Sequence, residues 1–260
     1  MLQSLNFSGR TALIMGASQG IGLATAKALA AYGATVVLTA RSHQKIESEA
    51  DLLRSGGLSA LAVPCDVSDY LSVTEAIEYA VEKTGRIDIL VNNAGVIEPL
   101  APLIESDPDT WARAADINYK GVYHGIRAAA PIMLEQGSGI IINMSSGAAN
   151  SALIGWSHYC SAKAAAKKLT EVAHKEIGER NIRVVGLSPG TVATAMMEKI
   201  RDSKINTVSN LDWSVHIPPE WVGEAVAFLC GDEGAEYAGT DFSLKTSEGR
   251  KRVGLPILSD

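Results

Sequence analysis

Thr11-Ala12-Leu13-Ile14-Met15-Gly16-Ala17-Ser18-Gln19-Gly20-Ile21-Gly22 is the stretch that decides the fold. Its first five residues suit a short buried strand, and glycines follow at once. An apolar-periodic helix then runs through Ala24, Leu29 and Ala30, and Ala34-Thr35-Val36-Val37-Leu38-Thr39 reads as a second strand. Strand, glycine turn, helix and strand within about 30 residues make a βαβ unit. Gly16 lets the chain leave the strand in a tight turn, Gly20 lets backbone approach a ligand, and Gly22 lets the helix pack closely on the sheet. The bare amides around Ser18, Gln19, Gly20, Ile21 and Gly22, at the helix N-terminus, suit a pyrophosphate. The alternative is a glycine-rich turn with no ligand.

The alternation continues along the chain. Residues 44–54 read as a helix, Ser59-Ala60-Leu61-Ala62-Val63 as a strand, and 69–83 as a helix through Val73, Ile77 and Val81. Ile87-Asp88-Ile89-Leu90-Val91 is a strand ending at Asn92-Asn93-Ala94-Gly95, and a long helix covers 109–136. Gly139-Ile140-Ile141-Ile142-Asn143-Met144 runs into Ser145-Ser146-Gly147, followed by a second long helix over 157–178. Ile182-Arg183-Val184-Val185-Gly186-Leu187 ends at Ser188-Pro189-Gly190, residues 192–215 are polar and irregular, a helix spans 219–230, and a last strand falls at 240–245. Repeated βα pairs with apolar strands predict an α/β fold, a doubly wound parallel sheet of about seven strands with helices on both faces. No linker divides the chain, so residues 1–260 read as a single domain, with 192–215 as a lid. Ligands in such sheets bind outside the carboxyl ends of the strands. The glycine turn, Asp66, 92–95, 145–147 and 189–194 all fall there.

Composition narrows the class. The chain has 260 residues, 47% hydrophobic and 20% charged, enough apolar residues for a large core. A net charge of -6 argues against a nucleic-acid binder, and Gly249-Arg250-Lys251-Arg252 reads as solvated surface. Cys65, Cys160 and Cys230 lack Cys-x-x-Cys spacing, and the histidines lack ligand spacing. They imply reduced thiols and no metal site. No apolar run is long enough to span a bilayer and residues 1–10 carry no signal core, so a soluble cytoplasmic protein is expected.

Chemistry centres on Tyr159-Cys160-Ser161-Ala162-Lys163. On a helix the four-residue spacing puts phenol and ammonium on one face. A nearby ammonium favours the phenolate and lowers the tyrosine pKa, giving a general acid/base suited to an alcohol or carbonyl oxygen. His158 lies about 100° away around the helix, so it is expected to pack.

These motifs together resemble the short-chain dehydrogenase/reductase family in its single-domain branch, with a Rossmann-type fold. Gly16-x-x-x-Gly20-x-Gly22, Asn92-Asn93-Ala94-Gly95, Ser146 thirteen residues before Tyr159, Tyr159-x-x-x-Lys163, and Pro189-Gly190 with Thr194 match in order, over roughly residues 8–245. The resemblance implies that Tyr159 passes a proton to or from the substrate oxygen as hydride moves at the nicotinamide. Lys163 tunes it and binds the nicotinamide ribose, Ser146 holds the substrate oxygen, and Asn118 holds a relay water. Alternatives stay open: Ser145 in place of Ser146, and Asn118 as an ordinary buried amide. Asp66 and Val67 would flank the adenine, with Asn93, Ala94 and Gly95 along the ribose, unless Asn93 ties neighbouring strands. Pro189, Gly190, Val192 and Thr194 would border the nicotinamide.

Cofactor choice turns on the end of the second strand, Leu38-Thr39-Ala40-Arg41-Ser42. An acid there selects NAD; here the position is Ala40, followed by Arg41, which can fork hydrogen bonds onto a phosphate, and Ser42. This favours NADP(H), as in a carbonyl reductase, with NAD(H) as the alternative because Gln19 carries no charge. Ile97, Glu98, Ala148, Asn150, Ile154, Trp156, Met196 and Met197 are the substrate-pocket candidates, mixed in polarity as a small-molecule pocket is. The family usually forms tetramers through the two long helices, so a homotetramer is expected. The segment Ala238-Gly239-Thr240-Asp241-Phe242-Ser243 departs from the family's common ending. A non-catalytic dinucleotide sensor is the reading from another class, and it sits poorly with a complete Ser/Tyr/Lys set.

Overall fold

A computed structural model of the protein describes residues 5–257. In chain order the elements are β1 Thr11–Met15, α1 Gly20–Ala31, β2 Thr35–Ala40, α2 His43–Ser55, β3 Ala60–Pro64, α3 Tyr70–Thr84 and β4 Ile89–Asn92. There follow α4 Pro108–Ala115, α5 Gly121–Gln136, β5 Gly139–Met144, α6 Ser157–Ile177, β6 Ile182–Ser188, α7 Ala195–Ser203, α8 Pro219–Cys230, β7 Asp241–Ser243 and α9 Ser247–Val253. The strands form one seven-stranded sheet in the order β3-β2-β1-β4-β5-β6-β7, parallel throughout.

Strand alternation sorts the core into two layers. Ala12, Ile14, Val36, Leu38, Ile89 and Val91 pack under Leu29, Ile46 and Val226, from α1, α2 and α8. Their neighbours Leu13, Met15, Val37 and Leu90 face Val73, Ile77, Ala129, Met133 and Ala173, from α3, α5 and α6. Both faces are therefore covered, which is why the strands read as continuous apolar runs. The order reverses between β1 and β4, opening a crevice at the carboxyl edge.

Polar side chains lock α6 to this sheet. Asn92 Nδ2 donates to Asn143 Oδ1 at 2.8 Å, Asn143 Nδ2 donates to Thr170 Oγ1 at 2.9 Å, and Thr170 Oγ1 donates to the Ala166 carbonyl at 3.0 Å. The chain of bonds is buried and fixes β4, β5 and α6 in register, although Asn92 Oδ1 is buried with no partner among the described residues.

Departures from expectation lie where local capping or burial decides. Residues 192–215 are not irregular: Thr194 Oγ1 accepts from the Met197 amide at 3.4 Å and caps α7, which buries Met197 and Ile200. Short 3₁₀ turns follow at Thr207–Asn210 and Trp213–Val215. The helix expected over 109–136 is interrupted by a π turn at Asp116–Lys120. The last strand is shorter than 240–245, and α9 follows it. Within the basic run, Arg250 is buried and donates to the Leu244 and Lys245 carbonyls at 3.0 and 3.2 Å, so solvation describes Lys251 and Arg252 alone.

Replacing the middle of the polar chain, Asn143→Leu, strands the Asn92 amide and takes away the bond Thr170 Oγ1 accepts, leaving only its own donation to Ala166. It is expected to lower unfolding free energy by about 1–3 kcal/mol in urea titration followed by circular dichroism.

Candidate active site

A crevice of about 700 Å³ opens at the carboxyl edge of the sheet. Its floor is the glycine turn. Gly16 and Gly20 hold φ of +78° and +56°, in the left-handed region. A Cβ at Gly22 would lie 2.2 Å from the Gly16 carbonyl oxygen and 2.6 Å from Asn93 Nδ2, so this corner admits no side chain. Asn93 Nδ2 donates to the Met15 and Gly16 carbonyls at 3.1 and 3.0 Å. Its amide thus ties the turn to the end of β4, the strand-tying alternative, while the residue still lines the crevice. The Gln19 side chain makes no cap hydrogen bond among the described residues. The first amides of α1 have no intrahelical acceptor and no cap from Gln19, and Gly20 and Ile21 line the crevice. A pyrophosphate fits this cradle by charge and by clearance.

Across the crevice, α6 delivers Tyr159 and Lys163. Lys163 Nζ donates to the Met144 carbonyl at 2.6 Å, at the end of β5, and stands 5.6 Å from the centroid of the Tyr159 ring. Ser146 Oγ accepts from the Ala148 amide at 3.2 Å, and its hydroxyl stands near enough to the Tyr159 phenol to act downward on the phenol's pKa. Ser145 Oγ donates to Asp241 Oδ2 at 2.6 Å, while Ser145 also lies among the residues that line the crevice.

The electrostatics differ from the sequence expectation. Burial pushes the Tyr159 phenol up to about 12, and the Ser146 hydroxyl offsets this in part. Burial likewise pulls Lys163 down to about 8. The expected lowering of the tyrosine by the lysine is thus not what this structure has. Desolvation works against both charged forms, and the ammonium is turned onto Met144 rather than the phenol oxygen. Asn118 sits in the π turn and is buried. Nδ2 donates to the Val96 carbonyl and Oδ1 accepts from the Val96 amide, each at 2.8 Å, which uses one of the amide's two hydrogens and one of its oxygen's two lone pairs.

The match to known proteins follows this geometry. A model of the short chain dehydrogenase family matches residues 10–205. The chain belongs to that family. Oxidoreductase UcpA of Escherichia coli strain K12 is 40% identical over 243 residues, covering 90% of this chain and 92% of UcpA. The 3-oxoacyl-[acyl-carrier-protein] reductase FabG of Thermotoga maritima is 33% identical over 238 residues, covering 90% and 96%. Among solved structures, an NAD+-bound xylitol dehydrogenase superposes with a TM-score of 0.85 at 28% identity, covering 92% of this chain and 98% of that one.

In this short chain dehydrogenase the crevice is also lined by Ala40, Arg41, Ser42 and Lys45, around the end of β2 and the start of α2. Lys45 was not singled out from the sequence; it lies in the first turn of α2, just after Arg41 and the N-cap Ser42. Ser42 is the N-cap of α2, but its hydroxyl makes no cap bond among the described residues. Burial acts upward on the Asp66 carboxyl, yet the hydroxyl and amide of Ser68, with Arg113 and Arg41, hold it below its ordinary value. Val67, Ala94 and Gly95 continue the wall, and Ser18, Gln19, Gly20 and Ile21 lie along it. Pro189, Thr194 and Met196 close the far end. Gly190 turns there at φ +80°, and Val192 is buried, bridging Ile217.

The substrate-pocket candidates do not form one open wall. Ile97, Ala148, Trp156 and Met197 are buried in a satellite cluster with Ile200. Glu98 pairs with Lys199 of α7, Asn150 Oδ1 accepts from Lys167 Nζ at 2.9 Å, and Ile154 is 70% exposed. Met196 alone among them lines the main crevice. His158 is buried with Nε2 on the Ile97 carbonyl at 2.9 Å, the packing role expected. Among the described residues no helix is long and apolar enough to cross a membrane, and no cluster of His, Cys, Asp or Glu has the makings of a metal site.

Gly22→Ala has to displace the Gly16 carbonyl or the Asn93 amide. Dinucleotide binding, read by NADPH fluorescence titration, is expected to weaken about 10- to 100-fold, the equivalent of about 1–3 kcal/mol of overpacking.

Proposed function

We propose that this oxidoreductase moves a hydride between NADP(H) and a ketone or secondary alcohol, with Tyr159 as general acid/base. The observation that carries the reading is that Tyr159 and Lys163, the ammonium 5.6 Å from the ring centroid, line the same crevice as the glycine turn of Gly16 and Gly20. When bound, the nicotinamide supplies the hydride to the carbonyl carbon. Gly20, Ile21 and Gly22 would hold the pyrophosphate on their amides, and Asp66 and Val67 would flank the adenine. Pro189, Gly190, Val192 and Thr194 would border the carboxamide.

The protein's own residues manage the oxygen. Ser146 donates a hydrogen bond to the carbonyl oxygen and steadies its growing negative charge. Tyr159 gives that oxygen its phenolic proton, and burial keeps the proton in place at neutral pH until it is needed. The phenolate left behind is stabilised by the Lys163 ammonium and reprotonated from it or from solvent. In the reverse direction Tyr159 accepts the alcohol proton.

NADP(H) is preferred on this reading because Arg41 and Lys45 bring two cations and Ser42 a spare hydroxyl to the rim where a 2′-phosphate would lie. The second reading is an NAD(H)-dependent dehydrogenase of a secondary alcohol or polyol. The likeness to an NAD+-bound xylitol dehydrogenase and the neutral Gln19 favour it. A cytoplasmic homotetramer completes the proposal. Tyr119 and Tyr123 stand exposed on the α4–α5 side and Val172 on α6, where small residues permit helix packing.

Assayed with NADPH against a panel of ketones, Tyr159→Phe is expected to lose about 10²–10⁴-fold in kcat. Its cofactor affinity should stay near that of the wild type. A wild-type rate in this variant removes the acid/base assignment. Arg41→Asp is expected to weaken NADPH about 10- to 100-fold while sparing NADH, in line with about 1.5–3 kcal/mol for a charged hydrogen bond. An unchanged ratio of dissociation constants favours the NAD(H) reading.

A further inference from the structure

Trp156 carries a polar atom that nothing in the described protein answers. The side chain is 5% exposed, and its Nε1 is buried with no hydrogen-bond partner among the described residues. A buried indole N–H ordinarily finds an acceptor. Trp111 of α4 has one: its Nε1 donates to Ser157 Oγ at 3.0 Å. Trp156 instead packs in the satellite cluster with Ile97, Ala148, Met197 and Ile200, whose side chains carry no oxygen or nitrogen. The Ile97 carbonyl is already held by His158 Nε2 at 2.9 Å. The residues after α7 press on the loop that carries the indole. Asn206 Nδ2 donates to the Ile154 carbonyl at 3.0 Å, and a Cβ at Gly155 would lie 2.3 Å from Ile205 Cδ1.

This orphan donor lies beside the chemistry. The Trp156 and Tyr159 rings meet edge to face, with centroids 5.6 Å apart. Tyr159 and Met196 both line the crevice and both pack against the cluster. A substrate with its carbonyl at Tyr159 that extends past Met196 would therefore run onto Trp156. A buried donor left unpaired costs its full desolvation, and an arriving acceptor recovers it. An indole N–H can only donate, and no side chain of the cluster accepts through oxygen or nitrogen. A substrate hydroxyl there would leave its own proton unpaired, whereas a carbonyl or ester oxygen has no proton to strand.

We propose that Trp156 is a specificity-determining residue whose indole N–H receives a second, acceptor-only oxygen of the substrate, which makes keto esters and other dicarbonyl compounds the substrate class rather than plain ketones or polyols. The consequence for turnover rests on the proposed oxidoreductase function; the hydrogen bond is read without turnover. The test uses protein labelled with nitrogen-15 at the tryptophan indoles and saturated with whichever of NADP+ and NAD+ binds more tightly. Methyl acetoacetate is expected to move the Trp156 indole proton downfield, and hexan-2-one, of the same chain length, is not. Trp156→Phe assigns the signal; if that variant does not fold, Trp111→Phe, Trp213→Phe and Trp221→Phe assign it by elimination. In turnover with the reduced cofactor, Trp156→Phe keeps the ring and loses the N–H. Its kcat/KM for methyl acetoacetate relative to hexan-2-one is expected to fall about tenfold from the wild-type ratio, as for the loss of one hydrogen bond. An indole signal that answers the two compounds alike, or a phenylalanine variant that keeps the wild-type ratio, overturns the proposal. A selective indole shift in a protein that reduces neither compound upholds the role of Trp156 and counts against the oxidoreductase function alone.

Discussion

The 2.6 Å bond from Lys163 Nζ to the Met144 carbonyl is the contact on which the site depends. It joins the middle of α6 to the last residue of β5. That single link brings a phenol carried by a helix to a serine carried by the loop after a strand. A carbonyl acceptor is also a cheap partner for a buried ammonium, since it supplies a hydrogen bond without the desolvation cost of a second charge. The outcome is a lysine drawn down to about 8 and a tyrosine driven up to about 12. Both groups sit in the state that suits donation: the phenol holds its proton, and the amine remains largely ammonium at neutral pH.

A second tie works beneath the first. The Asn92–Asn143–Thr170 chain of bonds fixes α6 against β4 and β5 two turns further along. A helix held at two depths cannot roll about its axis, so the direction of Tyr159 is set by the sheet. The glycine turn is held in the same way, by Asn93 reaching from the end of β4 to Met15 and Gly16. The glycine turn and the Tyr159 phenol are thus both referenced to the central strands, the most deeply buried part of the molecule. Such rigidity is what electrostatic stabilisation of a developing oxyanion requires.

Much of this was legible in the residues. Parallel strands covered on both faces are apolar throughout, so β1, β2, β4 and β5 announce themselves, and Gly16, Gly20 and Gly22 mark the turn. Other features were hidden for physical reasons. The periodicity of 109–136 runs smoothly through the π turn at Asn118, because one added residue barely disturbs a helical stripe. The short helix α7 exposes most of its polar residues and buries little beyond Met197 and Ile200, so its pattern is weak. Spacing placed Lys163 beside Tyr159 correctly but says nothing of burial, and burial decides the direction of both pKa shifts. Ile97, Trp156 and Met197 looked like pocket lining because apolar loop residues near a site read alike, whether they face a ligand or one another.

The central claim is that one crevice brings a dinucleotide and the Tyr159 phenol together. A crystal structure of the wild-type protein soaked with NADP+ tests it most directly. The account requires the pyrophosphate on the amides of Gly20, Ile21 and Gly22, and the nicotinamide ring beside Tyr159 and Lys163. A cofactor bound elsewhere, or a ring held away from the tyrosine, would contradict it.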